Sequence, residues 1–203
     1  NVFGMSESSG VLVLADPDAD EDLRLNSAGM APPGVELRIV DPDTGAQVGP
    51  GHRGEIQFRG GGAFLGYYND PDNTAKTILD GNWISSGDLG TLDENGWLQF
   101  QGRLKDMLKV GGENVAAAEV ESFLSGHHGV KFVQIVGRPD ERMGEVPVAF
   151  VERNEGSEVT EDELFKFCEG KIARYKIPVE IRFIAEWPMS TTKVQKHRLK
   201  ELL

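Results

Sequence analysis

The sequence predicts an α+β fold in two parts, a β-rich first part and a second part in which strands and helices mix. Short alternating apolar segments separated by turn residues fill the first hundred residues. Beyond Arg103 the apolar period lengthens to that of amphipathic helices, with strand-like runs between them. With 203 residues, 39% of them hydrophobic and 8% aromatic, the chain has the apolar side chains for a real core, in one large domain or two small ones.

Across 35–40, Val35, Leu37 and Ile39 alternate with polar residues and fall on one face of a strand. Asp41-Pro-Asp-Thr-Gly45 follows as a turn, with proline and glycine suitably placed. Residues 55–59 form another short strand, and a short helix is expected over 73–79. Asp93-Glu-Asn-Gly96 joins two apolar runs as a hairpin does, the second being 97–100. Regularly spaced short strands suggest a small barrel-like arrangement or a sandwich for this part.

In the second part, Ala116, Val120, Phe123 and Leu124 share one side of a helix over 116–124. Residues 130–137, 146–153 and 179–184 are strand-like and predict a three-stranded sheet with flanking helices. Thr160 and Glu163 have capping-box spacing and open a helix over 161–172, where Leu164, Phe167, Cys168 and Ile172 recur at helical spacing. A terminal helix is expected over 196–203. The boundary falls near Leu104–Asp106, giving parts 1–104 and 105–203, with no internal repeats.

Composition excludes several functions. No apolar run approaches 18 residues, so no membrane span is expected, and no charged-then-apolar leader is visible. A single cysteine, Cys168, permits no intrachain disulfide and fits a reducing cytoplasm; its helical setting reads as a packed core thiol. The four histidines lack metal-site spacing, so no metal site built by side chains alone is expected. Residues 1–100 hold five Lys/Arg against sixteen Asp/Glu, which argues against nucleic acid as a partner. The basic residues gather instead at 103–109 and 193–200, a pattern that suits a small anionic ligand gripped at a few points.

Short motifs punctuate this frame. Phe3-Gly-Met-Ser-Glu7 alone reads as a loop, Ser86-Gly-Asp-Leu-Gly90 as a turn, and Arg103-Leu-Lys-Asp106 as a solvated charge cluster. Order and spacing change that reading. FGMSE, GEIQFRG, GYYNDPDNTAKTI, WISSGDLG, GRLKDMLKVGGENV, ARYKIP and PMSTTKVQK follow one another over essentially the whole chain. This succession resembles the adenylate-forming superfamily of acyl-CoA synthetases, peptide-synthetase adenylation domains and luciferase, and the Lys105–Val115 segment is most like acyl-CoA synthetases.

The resemblance implies an enzyme that joins a carboxylic acid to AMP, releases pyrophosphate and passes the acyl group to coenzyme A. ATP, Mg²⁺ and coenzyme A are its expected small-molecule partners, and the acid is expected to be a fatty or related one. It implies nucleotide contacts from Phe3 beside the adenine, Gly4, and Ser6 at the α-phosphate, with Glu7 holding Mg²⁺. Asp88 is the implied acceptor of both ribose hydroxyls, and Arg103 an added donor to ribose or phosphate. Asp106 occupies the hinge position about which the C-terminal domain swings. Lys109, Gly111 and Gly112 are the implied contacts to coenzyme A, and Lys193 the catalytic lysine.

The family pattern has a glycine before this lysine, whereas Thr191-Thr-Lys193 is one residue shorter and leaves Lys196 as the alternative. The Ser/Thr/Gly-rich loop that grips pyrophosphate and most of the acyl pocket have no counterpart here. The chain therefore reads as the C-terminal portion of a longer enzyme, lacking an N-terminal part of its own chain, inactive alone, and with apolar surface exposed around residues 1–30. Two alternatives remain open: an adenylation domain loading a carrier protein, and a non-catalytic scaffold that keeps the fold.

Overall fold

The computed structural model describes residues 1–191 and 193–203, so Thr192 of the Thr191-Thr-Lys193 motif lies outside the described residues. The chain divides into two units, Asn1–Leu104 and Lys105–Leu203.

The first unit runs β1 (Val2–Phe3), β2 (Val13–Leu14), α1 (Glu21–Asn26), β3 (Val35–Val40), β4 (Gly54–Gly60), α2 (Pro71–Thr77), β5 (Ile78–Leu79), β6 (Trp83–Leu92) and β7 (Leu98–Arg103). Strands β1 and β2 pair with each other, and the remaining five form an antiparallel sheet in the order β3-β4-β6-β5, with β7 also on β6. Ten-residue β6 accommodates both neighbours, pairing its first residues with β5 and its last five with β7. The sheet is open, and no closed barrel forms among the described residues: β3 at one edge has β4 as its strand partner. Even spacing of short strands reports hairpin connectivity, whereas closure also needs a matching tilt and shear.

Pleat alternation sorts the residues of this sheet. Ile39, Ile56, Phe58 and Ile84 enter an apolar core with Leu12, Val13 and Leu98. The other face carries Arg38, Glu55, Gln57, Arg59 and Trp83, with the Arg38 and Arg59 guanidinium groups 4.1 and 4.8 Å from the Trp83 ring centroid. Helix α2 begins two residues earlier than the apolar pattern suggests. Pro71 supplies a preset first turn, and the Asp70 carboxylate accepts the Asn73 N–H at 3.1 Å.

The second unit runs β8 (Met107–Val110), β9 (Glu113–Ala116), α3 (Ala117–Ser125), β10 (Val130–Asp140), β11 (Gly144–Arg153), α4 (Glu161–Cys168), β12 (Glu180–Phe183) and α5 (Lys196–Lys200). Its sheet has five strands rather than three, ordered β10-β11-β8-β9 with β12 parallel to β11. The two extra strands come from the glycine motif. Met107–Val110 and Glu113–Ala116 fold back on each other, and Gly111 (φ 61°) with Gly112 (φ 89°) makes the two-residue turn. Two successive positive φ angles match the twist of a hairpin, and only glycine adopts them without cost.

The core of this unit forms where α3 (Ala117, Val120, Leu124) and α4 (Leu164, Cys168) meet Val133, Ile135, Ala149 and Val151 of the sheet. The expected capping box is present: Thr160 Oγ1 accepts the Glu163 N–H at 3.3 Å, and Glu163 Oε2 accepts the Thr160 N–H at 2.8 Å. Helix α4 ends at Cys168, four residues short of the apolar pattern, because Glu169 turns to an extended backbone. Cys168 is fully buried, and burial raises its thiol pKa, as suits a packing residue. Among the described residues no helix is long and apolar enough to cross a membrane, and no group of three His, Cys, Asp or Glu residues is placed to hold a metal ion.

Candidate nucleotide and acyl-transfer site

The ribose-contact candidates Asp88 and Arg103 are brought together in the first unit. They face each other across β6 and β7, with Arg103 Nε 2.8 Å from Asp88 Oδ1. Asp88 sits in an irregularity of β6. Glu55 pairs with Leu89 and Gln57 with Ser85, so Ile56 of β4 lies opposite the three residues Ser86, Gly87 and Asp88. Gly87 takes φ 66°, which lets the strand fold out and return.

Displaced strand residues lose their ladder partners, and here side chains replace them. The Ser86 hydroxyl accepts the Asp88 N–H at 3.0 Å and donates to the Ile56 carbonyl. Glu55 Oε1 accepts the Gly87 N–H at 3.0 Å and the Ser85 hydroxyl. Arg103 Nη2 lies 3.5 Å from the Ser86 carbonyl oxygen. The Gly87 and Asp88 N–H groups are thus paired while the Asp88 side chain, 10% exposed, is held against Arg103. Such a carboxylate can accept two hydroxyls of a vicinal diol, and the guanidinium beside it adds donors.

Phe3, Gly4, Ser6 and Glu7 lie on β1 and the turn after it. The Phe3 ring contacts that of Phe100 on β7, with centroids 5.4 Å apart. A Cβ on Gly4 would lie 1.7 Å from the Gly10 carbonyl oxygen, so the close return of the chain explains this glycine by packing alone. Ser6 and Glu7 begin a tight turn closed by the Ser8 hydroxyl, which accepts the Met5 N–H at 3.1 Å. Glu7 is tied to the loop before α2. Its carbonyl accepts the Phe64 N–H at 2.9 Å, and its Oε1 accepts the Tyr67 hydroxyl at 2.6 Å. That bond to the carboxylate raises the Tyr67 pKa above its ordinary value, with partial burial adding to it.

In the second unit Lys193 is exposed on a short hairpin. Its carbonyl accepts both the Ser190 N–H at 2.8 Å and the Ser190 hydroxyl at 3.0 Å, and Met189 bridges to Val194. Lys196 is placed differently: its Nζ lies 2.6 Å from Glu121 Oε1 and 3.8 Å from Asp106 Oδ2. Glu121 Oε1 also accepts the Ile135 N–H at 2.8 Å, which binds α3 to the edge of β10. An ammonium held by two carboxylates is a poor movable charge, and the exposed one is a good one. Lys109, Gly111 and Gly112 sit at the β8–β9 turn. The Lys109 N–H donates to Glu145 Oε2 at 3.0 Å and the Gly111 N–H to the Met143 carbonyl at 2.7 Å, so the turn is anchored to β11 and its approach.

Sequence reasoning missed Glu55, Ser86, Tyr67 and Glu121. Glu55 occurs in a strand beside Ile56, where alternation predicts an outward charged residue; its partners Ser85 and Gly87 are 30 and 32 residues away. Tyr67 and Glu121 act through partners 60 and 14 residues away.

Residues 1–68 match the AMP-binding enzyme family, and residues 119–194 match the AMP-binding enzyme C-terminal domain. A Bacillus subtilis protein provisionally named as an acyl-CoA synthetase, YngI, is 41% identical over 98% of this chain and 36% of its own length. The mitochondrial medium-chain acyl-CoA ligase of Danio rerio is 38% identical over 98% of this chain and 33% of its own. Among solved structures, ATP-bound MatB from Rhodopseudomonas palustris aligns with a TM-score of 0.91 at 33% identity, over 99% of this chain and 40% of that one. The Bacillus subtilis o-succinylbenzoate CoA synthetase with its acyl-adenylate aligns at 0.89 with 30% identity, over 98% of this chain and 40% of that one. The chain spans about a third of the curated relatives' length. On sequence and on structure alike, the chain belongs to the adenylate-forming AMP-binding enzyme family.

Proposed function

We propose that this chain forms part of an ATP-dependent, AMP-forming acyl-CoA synthetase acting on a carboxylic acid, with a fatty or related acid as substrate. The Asp88–Arg103 pair on the β6 bulge carries this reading. A nearly buried carboxylate, turned by a guanidinium and backed by satisfied backbone, suits a vicinal ribose diol better than it suits a plain turn.

In the first half-reaction a carboxylate oxygen of the acid attacks the α-phosphorus of ATP. The bond to the β-phosphate oxygen breaks, and pyrophosphate leaves. In the second, the coenzyme A thiol gives up its proton to solvent, its sulfur attacks the acyl carbon, the C–O bond to the phosphate breaks, and AMP leaves. Negative charge grows at the α-phosphate in the first step, so placed positive charge is the main demand on the protein. Lys193, exposed on its hairpin, is the cation assigned to that role, with Ser6 as a hydroxyl donor to the α-phosphate. Phe3 would lie beside the adenine.

The Glu7 carboxylate fits a hard cation such as Mg²⁺, which takes oxygen ligands, and the Tyr67 hydroxyl fixes its rotation. Bound Mg²⁺ would neutralise phosphate charge. Asp106 is assigned as the hinge and the Lys109–Gly112 turn as the contact to the pantetheine arm. Two of the relatives, the Danio rerio ligase and the Bacillus subtilis o-succinylbenzoate CoA synthetase, are named for ligation to coenzyme A, which favours coenzyme A over a carrier protein. Their names also cover different acids at 30–38% identity to this chain, which supports an acyl pocket built mainly by the part of the enzyme preceding it.

The test follows pyrophosphate release by the complete enzyme with ATP, Mg²⁺ and a panel of carboxylic acids, beside Lys193→Ala. The expected loss in the variant is about 10²–10³ in rate, or roughly 3–4 kcal/mol of transition-state stabilisation. Equal rates would remove Lys193 from the mechanism, and no release with any acid would leave the scaffold alternative. The chain alone is expected to release none.

A further inference from the structure

We propose that Glu55 is a positioning residue of the nucleotide site: its carboxylate holds the β6 bulge in the shape that presents Asp88 to the ribose. This rests on the reading of Asp88 as the ribose ligand. Glu55 is a carboxylate only 8% exposed, far from any expected chemistry in the sequence, and nothing in the proposed reaction consumes it. Burying it without a partner would be costly, so its contacts indicate its task.

The contacts divide between its two oxygens. Oε1 takes the N–H of Gly87, the residue just before Asp88, and the hydroxyl of Ser85 at the start of the bulge. Oε2 takes Gln57 Nε2 at 2.9 Å. The Gln57 carbonyl oxygen is in turn fixed by Arg38, which donates from Nε at 2.9 Å and Nη2 at 2.7 Å and lies over Trp83. The line Trp83–Arg38–Gln57–Glu55–Gly87 therefore runs from a cross-strand stack on β3, β4 and β6 to the residue preceding Asp88. Arg103 approaches the same turn from β7. The bulge is clamped from both neighbouring strands, and only the Glu55 side reaches the displaced Gly87 N–H. Without that acceptor the N–H can pair again with β4 only by straightening the bulge, which would rotate Asp88 away from its place beside Arg103.

A residue acting through Asp88 should alter how the enzyme distinguishes riboses, and should do so more than it alters the chemical step. The experiment compares ATP with 2′-deoxy-ATP and 3′-deoxy-ATP in the complete enzyme, for the native protein and for Asp88→Asn, Glu55→Ala and Glu55→Asp. Glu55→Asp keeps the charge but withdraws the carboxylate by one methylene, and it carries the test if Glu55→Ala does not fold. The expected result is a rise in KM for ATP and a fall of about tenfold or more in discrimination against the deoxy nucleotides. In the Glu55 variants kcat at saturating ATP should fall by a smaller factor than KM for ATP rises. Loss of discrimination in Asp88→Asn with native discrimination in the Glu55 variants would overturn the role of Glu55 alone. Native discrimination in Asp88→Asn would overturn the ribose reading itself, and the role of Glu55 with it.

Discussion

The two units bury different things. Every buried polar or charged residue among the described ones lies in the first unit: Ser8, Ser27, Glu55, Gln57, Ser86, Asp88 and Thr91. The second unit buries an apolar cluster spanning α3, α4 and the sheet, with a second small cluster around Val136, Val148, Phe150 and Leu199. The first unit also exposes Val2, Val11, Leu14, Leu25 and Met30, with Leu25 70% exposed, as expected of its first thirty residues. The first unit adds a polar network around the β6 bulge to its apolar core, whereas the buried side chains of the second are apolar among the described residues. Buried polar networks specify a geometry but add little net stability, whereas apolar burial does the reverse.

The strongest test of this contrast separates the units. Residues 105–203 alone should unfold in urea as one cooperative transition, while residues 1–104 alone should give a broad transition and bind a hydrophobic dye. Matching sharp transitions would break the comparison.

A smaller effect sharpens it within the second unit. Lys196→Met removes the cation shared by Glu121 and Asp106 and should lower the stability of that unit by about 1–3 kcal/mol. Lys193→Ala should leave the same stability unchanged, because that side chain is exposed while its backbone carbonyl, which the substitution keeps, holds Ser190. A denaturant midpoint unchanged by Lys196→Met would remove the structural role assigned to this lysine.

The smallest effect is electrostatic. Glu180 accepts from Arg182 and, on its other oxygen, from Arg138, and these bonds hold its pKa below the ordinary 4.5. The folded form binds its proton less readily than the unfolded chain. This contribution is therefore complete above about 4.5 and is lost as pH falls through the depressed folded value. The thermal midpoint of the second unit should fall more gently with acid in Arg182→Ala than in the native protein. An identical acid slope would exclude Glu180 as a source.

Much was decided locally and could be read from the sequence. Alternation of Val35, Leu37 and Ile39 marks β3, and Thr160 with Glu163 marks the start of α4, because each signal is complete within a few residues. The motif order from Phe3 to Lys196 identifies the family for the same reason. Tertiary contacts decided the rest. Alternation does not mark β8 and β9 as strands; their pairing with each other and with β11 decides it. The strand spacing of the first unit could not tell an open sheet from a barrel. The sequence names Asp88 and offers two lysines. That Glu55 turns inward to hold Asp88, and that Lys196 is committed to Glu121 while Lys193 is exposed, depends on partners 32 and 75 residues distant. No local pattern encodes such pairings, because they arise only when β4 pairs with β6 and the last helix packs against β10.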